Sequence, residues 1–349
     1  MYYFPSPFIV NEVIDSKNYD LASTVNSGKN ALRIALKSLS LPINSTVGIP
    51  VFSCNEVVNA VMEEGLKPVF FDVKEIGSYW ADHNEQKILN LDVKAIIVTH
   101  LYGFLHPDTL SIIDMCSRNN IKLIHDLAQS FGMDISLFKN NLIIYSFGPG
   151  KSTSAAKGGE VLNLPGKSIV AIRSAGFWDD MSAKLFFNSR LFGSKRSNVD
   201  VFIGKLCHQF IKKTGFIAMT PFQKQKALEA KAIALTLNNG RRERYLILKN
   251  AILNLNTVRV VYESQEGLWF KIVLFVKERT DHFLTYLKKN YVPYCRLGDS
   301  MDMTKRDMSD MVFFKETYSS IIEISSERSI PMVEIQRVST VLSNYENEN

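Results

Sequence analysis

Cysteine is scarce in this 349-residue chain: Cys54, Cys116, Cys207 and Cys295 lie far apart with no C-x-x-C spacing. Neither a zinc site nor a disulfide framework is indicated, no metal is expected, and a reducing compartment fits. Long apolar runs are missing as well. No stretch reaches the roughly 18 apolar residues that would cross a bilayer, and the amino end has no basic segment leading into an apolar one. The expectation is a soluble, cytoplasmic protein without a membrane partner. A strong charge bias is also absent, since the net charge of +6 comes from dispersed basic residues. The one local cluster, Arg241-Arg242-Glu243-Arg244, contains an acid and reads as a solvated helix face, not a nucleic-acid groove. Neither an internal repeat nor a low-complexity linker occurs. What remains, at 46% hydrophobic and 22% charged, is an ordinary globular composition long enough for two domains.

Within it, Ile143-Ile144-Tyr145-Ser146-Phe147-Gly148-Pro149-Gly150-Lys151-Ser152-Thr153 is an apolar run that breaks into a glycine-rich turn carrying one lysine. The pattern predicts a buried strand with Lys151 at its carboxyl end, where open α/β sheets place their ligands. Gly150-Lys151-Ser152 matches the tail of a phosphate-cradling P-loop, but Tyr145 stands where the first glycine belongs. Two readings stay open from the residues alone: a Schiff-base lysine or an ordinary loop lysine.

Taken in order, Asn26-Ser27-Gly28-Lys29-Asn30 precedes an apolar stripe at helical spacing, Ala31 to Leu39, closed by Pro42. Such a helix start suits either an anion or a plain N-cap. Strands are predicted at 47–52, 67–73, 94–100 and 121–126, with helices at 55–64 and 108–119 between them. Strands apolar throughout and separated by helices indicate a mainly parallel sheet covered on both faces. Asp126 and Lys151 then end neighbouring strands and reach the same edge. Further strands are expected at 161–164 and 168–172, while 174–215 is aromatic-rich and hard to parse. A helix at 221–237 should break at Asn238-Asn239-Gly240, followed by a helix at 243–255, strands at 257–262, 268–275 and 321–325, and helices at 280–289 and 332–344. These give a large domain over 1–240 and a smaller α/β domain over 241–349.

The motifs in order are Ser27-Gly28-x-x-Ala31-Leu32, Pro50 with Asn59-Ala60, Lys67-Pro68-Val69-Phe70-x-Asp72-Val73, His100-Leu101-Tyr102-Gly103, His125-Asp126-x-Ala128-Gln129, Ser146-Phe147, and Lys151 with Gly158-Gly159. Together they resemble the DegT/StrS sugar aminotransferases, with weaker echoes in Met219-Thr220-x-x-Gln223, in 241–245 and in 321–341. The resemblance implies the pyridoxal-phosphate-dependent transferase fold type I, in which a mixed, mainly parallel seven-stranded sheet lies between helices beside a smaller C-terminal domain. It further implies that Lys151 bonds covalently to the cofactor and carries protons. Asp126 would pair with the pyridinium nitrogen and Gln129 with the phenolic oxygen, while Gly28, Lys29 and Ser146 hold the phosphate. Cys54 stands where the family places an aromatic ring against the cofactor.

Other departures from the family pattern are Lys29 for a threonine, Lys157 for a glutamate, Phe216-Ile217-Ala218 where an asparagine usually reaches the neighbouring subunit, and a shorter amino-terminal segment. The activity implied is transfer of an amino group, with glutamate the expected donor, to a nucleotide-linked keto sugar in surface-polysaccharide or amino-sugar biosynthesis, by a homodimer. The alternative is a member that keeps the fold and serves as a binding or scaffold partner. Neither His100 nor Tyr102 is assigned a role, and His100 reads as a strand-end histidine satisfied by backbone.

Overall fold

In a computed structural model of the chain, the described residues are 24–73, 84–148, 151–153, 155–165, 172–191, 216–261, 267–297, 301–307, 309, 311–326 and 330–346. Strands and helices alternate as β1 (Thr24–Val25), α1 (Gly28–Ser38), β2 (Thr46–Pro50), α2 (Asn55–Glu63), β3 (Lys67–Phe71), α3 (Asn84–Asn90), β4 (Val93–Thr99), α4 (Thr109–Arg118), β5 (Lys122–Asp126), β6 (Leu142–Ser146) and β7 (Gly159–Leu162). They build a seven-stranded sheet in the order β1-β7-β6-β5-β4-β2-β3. From β3 to β6 every pairing is parallel, and β7 runs antiparallel to β6. The apolar strands are buried nearly throughout, β6 at every position, as a sheet covered on both faces requires.

Two long helices follow, α5 (Phe177–Leu191) and α6 (Pro221–Ile252), and then β8 (Val258–Val260), β9 (Lys271–Val276), α7 (Thr280–Lys289), β10 (Cys295–Arg296), α8 (Val312–Thr317), β11 (Ile321–Ser325) and α9 (Met332–Ser343). The last four strands form a separate antiparallel sheet, β10-β11-β9-β8. None of the described helices is long and apolar enough to cross a membrane.

The expected break at Asn238-Asn239-Gly240 does not exist, because α6 runs through it. A mid-helix glycine costs about 1 kcal/mol. Against that cost stands a buried stripe at helical spacing, Ala227, Ala230, Ala234, Arg241, Tyr245, Leu248 and Ile252, that continues on both sides of the polar triplet. The Arg241 cluster is corrected by the same helix: Arg242 and Glu243 are exposed, but Arg241 is 1% and Arg244 9% exposed. The strand expected at 168–172 lies, apart from Ile172, outside the described residues. In the stretch that resisted parsing, 177–191 is helix α5.

Two motifs turn out to join parts of the fold. Thr220 and Gln223 form a capping box at the start of α6, with Pro221 in its first turn, and Gln223 Nε2 also donates to the carbonyls of Asn26 and Ala156. The buried Asp72, beyond β3, accepts the main-chain N–H groups of Phe313 and Phe314 and so caps α8 from the other half of the chain.

Candidate active site

The parallel strands deliver their functional residues to one edge through register. Thr99 at the end of β4 lies opposite Asp126 at the end of β5, and Asp126 lies opposite Ile144 in β6, two residues before Ser146. Over this edge opens a cavity of about 250 Å³, lined among others by Gly28, Lys29, Cys54, Asp126, Ser146 and Lys151. A second cavity of about 220 Å³ adjoins it, sharing Cys54, Asp126 and Lys151 and adding Tyr102, Gln129, Lys271 and Glu323. The structure therefore brings all seven sequence-predicted residues to one pair of joined cavities. Together these reach the range usual for small-molecule sites, about 300–1,000 Å³.

At one end of the first cavity stands the amino terminus of α1. Ser27 caps it, its Oγ accepting the N–H of Asn30 at 3.2 Å. The first N–H groups of a helix have no acceptor within it and carry the positive end of its dipole. Ser146 is drawn tightly against this turn, so that a Cβ on Gly28 would lie 2.4 Å from Ser146 Oγ. Gly159 is equally obligatory, since its Cβ would meet the Ser27 carbonyl at 2.5 Å. The result is a side-chain-free seat beside a hydroxyl and a helix start. Lys29 contributes less charge here than its position suggests: its ammonium pairs with Glu63 at 2.6 Å and lies 3.8 Å from Glu56.

Asp126 forms the floor. Burial pushes its carboxyl above the ordinary aspartate range, opposed by the charge of Lys151 and by the Ala128 N–H that Oδ1 accepts at 2.9 Å. Gln129 accepts the main-chain N–H of Tyr102 on Oε1 at 2.9 Å, which leaves its Nε2 as the donor. Lys151 lines both cavities. Cys54 also lines both, as the exposed residue before α2, and it presents a thiol where a ring was expected.

Residues that the sequence left unassigned complete the second cavity. Tyr102 sits in the left-handed region, at φ 59°, and its hydroxyl donates to Glu323 Oε1 at 2.7 Å. Lys271 pairs with the other carboxylate oxygen of Glu323. This chain of contacts runs from Gln129 in the large sheet's half to β9 and β11 in the small sheet.

Beneath lie three buried histidines whose tautomers follow from their partners. His106 accepts the Asp108 N–H on Nδ1, and His100 accepts the His106 N–H on Nδ1, both at 3.1 Å. His100 therefore donates from Nε2 to His125 Nδ1 at 3.1 Å. His125 keeps its own proton on Nε2 and stacks on Phe138 at 3.9 Å. Burial lowers His106 and His125 to about 3 and His100 well below its usual value, so all three are neutral. His100 does have its backbone partner, as expected for a strand-end histidine. Among the described residues no group of three or more His, Cys, Asp or Glu could hold a metal ion.

The DegT/DnrJ/EryC1/StrS aminotransferase family matches residues 15–295. The chain belongs to this family. Among its relatives is GDP-perosamine synthase of Escherichia coli O157:H7, 31% identical over 161 residues that make up 44% of this chain and 43% of that one. Another is dTDP-4-amino-4,6-dideoxy-D-glucose transaminase of Shigella dysenteriae, 26% identical over 232 residues, 63% of this chain and 60% of the relative. These matches thus span less than two thirds of the relatives' own length. In fold the chain resembles ntda from Bacillus subtilis with bound cofactor PMP, with a TM-score of 0.66, 19% identity, and 93% of this chain and 73% of the other covered.

For a DegT/DnrJ/EryC1/StrS family chain, the donor set is chemically coherent with a phosphorylated pyridine cofactor. A helix start and a hydroxyl suit a phosphate, and a carboxyl pushed towards protonation by burial suits a protonated ring nitrogen. An amine sits within electrostatic reach of that carboxyl. Residues missed by sequence reasoning are Lys271 and Glu323, which come from strands of the other sheet, and Arg241, whose signal was the apolar stripe that it interrupts.

Proposed function

We propose that this chain is a pyridoxal-phosphate-dependent aminotransferase acting on a nucleotide-linked keto sugar, with glutamate as amino donor. The observation that carries the reading is the convergence of Lys151, Asp126, Gln129 and the Gly28–Ser146 seat on one cavity. When bound, the cofactor supplies an aldehyde for amine exchange and a ring that takes up the electron pair left by a broken C–H bond.

The chain's own residues do the rest. Lys151 would hold the cofactor through its amine and, when free, would carry the proton of the reacting carbon. Asp126 would hold a proton on the ring nitrogen, whose charge would join that of Lys151 in offsetting the burial of the carboxylate. Gln129 donates from Nε2 to the ring oxygen while Tyr102 fixes its other end. The turn at Gly28 and the hydroxyl of Ser146 bind phosphate, and Lys29 tunes this end through its pairing with Glu63. In the adjoining cavity, the Lys271–Glu323 pair and Tyr102 offer both donors and acceptors to a hydroxyl-rich substrate. The GDP- and dTDP-linked relatives support a nucleotide sugar, and a homodimer is the assembly that the family resemblance implies.

The test is to incubate the purified chain with pyridoxal phosphate, glutamate and a panel of GDP-, UDP- and dTDP-linked keto sugars, and to look for the amino sugar by mass spectrometry. A product with one of these, together with 2-oxoglutarate in equal amount, supports the reading. No product and no 2-oxoglutarate with any of them counts against it.

A further inference from the structure

We infer that Arg241 is the positioning residue for Lys151, an inference that rests on the cofactor reading above. Arg241 is 1% exposed, the largest of the fully buried side chains among the described residues, and an arginine is an unusual choice for the apolar stripe of α6. Its Nη2 donates to the main-chain carbonyl of Ser152 at 2.6 Å, across 89 residues of sequence, and Ser152 is the residue that follows Lys151.

The buried Ser152 hydroxyl finds no hydrogen-bond partner among the described residues, and the Thr153 hydroxyl reaches the Ser146 carbonyl only at 3.5 Å. Among the described residues, the short bond from Arg241 is therefore the stronger of these two tethers on the carboxyl side of Lys151. The same guanidinium lies 6.0 Å from the ring centroid of Phe270, next to Lys271 at the start of β9, and Lys271 lines the second cavity. Arg241 thus stands between the lysine turn and the residue that precedes β9.

A lysine that must reach one atom of a seated ring depends on its main chain being held to a fraction of an ångström, and a misplacement near 1 Å can cost about 100-fold. Arg241 lines neither cavity, so it acts on the site through the main chain of the Lys151 turn and not by touching a ligand there. That makes it separable from a packing role. Pyridoxal phosphate bonds to the lysine, whereas pyridoxamine phosphate binds the same seat without that bond.

The experiment measures both affinities, and the yield of borohydride-fixed label on Lys151 by peptide mass spectrometry, for the full chain and for Arg241→Met and Arg241→Lys. Arg241→Met is expected to bind pyridoxamine phosphate within about threefold of the parent. It should bind pyridoxal phosphate at least about tenfold more weakly, with less label, and Arg241→Lys should fall between. In a Lys151→Ala background, Arg241→Met should no longer change pyridoxal phosphate affinity. Equal loss of both cofactor forms, an unchanged ratio between them, or an effect that persists without Lys151 would overturn the inference. Should Arg241→Met not fold, the same ratio in Arg241→Lys decides. A parent chain that binds neither form would strike down the cofactor reading itself and this inference with it.

Discussion

Gln129 receives the main-chain N–H of Tyr102 on Oε1 at 2.9 Å, and by this one bond its amide is oriented with the donor end to the cavity. Gln129→Glu keeps the acceptor and replaces the donor by an oxygen, which would face the cofactor's phenolic oxygen. Pyridoxal phosphate affinity should drop by about 1–3 kcal/mol, the cost of a donor lost and a charge gained, with the thermal midpoint little changed. Equilibrium titration checks this. Unaltered affinity would mean that Gln129 does not touch the cofactor.

Gly28→Ala tests the seat. The new Cβ would sit 2.4 Å from Ser146 Oγ and 2.5 Å from Ser146 Cβ, so α1 and β6 must part. A loss of about 1–3 kcal/mol in chemical denaturation is expected, along with weaker phosphate binding. Adding Ser146→Gly should restore stability but not affinity, because it relieves the clash and removes a donor.

Stability should depend on pH through the buried histidines. In the folded chain His106 and His125 titrate near 3 and His100 well below its usual value, while in the unfolded chain each takes up a proton near 6.5. A folded value below the unfolded one gives stability that is complete above pH 6.5 and is lost as the pH falls from there towards 3. Each histidine contributes a slope of up to about 1.4 kcal/mol per pH unit. His106→Asn keeps an acceptor for the Asp108 N–H without titrating. Urea midpoints between pH 7 and 5 should decline less steeply in this variant than in the parent, and identical slopes would refute the assignment.

Tyr102→Phe removes a hydroxyl that donates to a carboxylate buried between the two sheets. A cost of about 1.5–3 kcal/mol is expected in thermal or denaturant unfolding, since among the described residues Glu323 then keeps only Lys271. A change below 0.5 kcal/mol, measured against the roughly 1 kcal/mol of an ordinary hydrogen bond, would show that Glu323 finds another partner.

Much of the large sheet was legible because its strands are apolar runs ending in polar residues, and the helices between them carry clear stripes. Lys122–Asp126 and Leu142–Ser146 lie within a residue or two of their expected places for that reason. The site was legible for a related reason: adjacent strand ends must meet, and although the strand expected to end at Lys151 ends at Ser146, the segment beyond it still brings Lys151 to the cavities that Asp126 lines. The long helix was misread because Asn238-Asn239-Gly240 is a strong local turn signal, whereas the tertiary stripe from Ala227 to Ile252 that overrides it spans seven turns. Arg241 was misplaced by the same logic, since charge in a cluster reads as surface until its buried acceptor, the Ser152 carbonyl, is seen. Tyr102, Lys271 and Glu323 could not be linked from sequence, because 221 residues separate the tyrosine from the carboxylate it holds. The expected phosphate role of Lys29 likewise ignored Glu63, which a helix pair brings to 2.6 Å.

The central claim is that Lys151 bonds to a cofactor seated on Asp126, and one spectrum tests it. Purified protein mixed with pyridoxal phosphate should gain a visible absorbance band that Lys151→Ala lacks and that glutamate bleaches. No band in the parent at saturating cofactor, or the same band in the variant, would contradict the account.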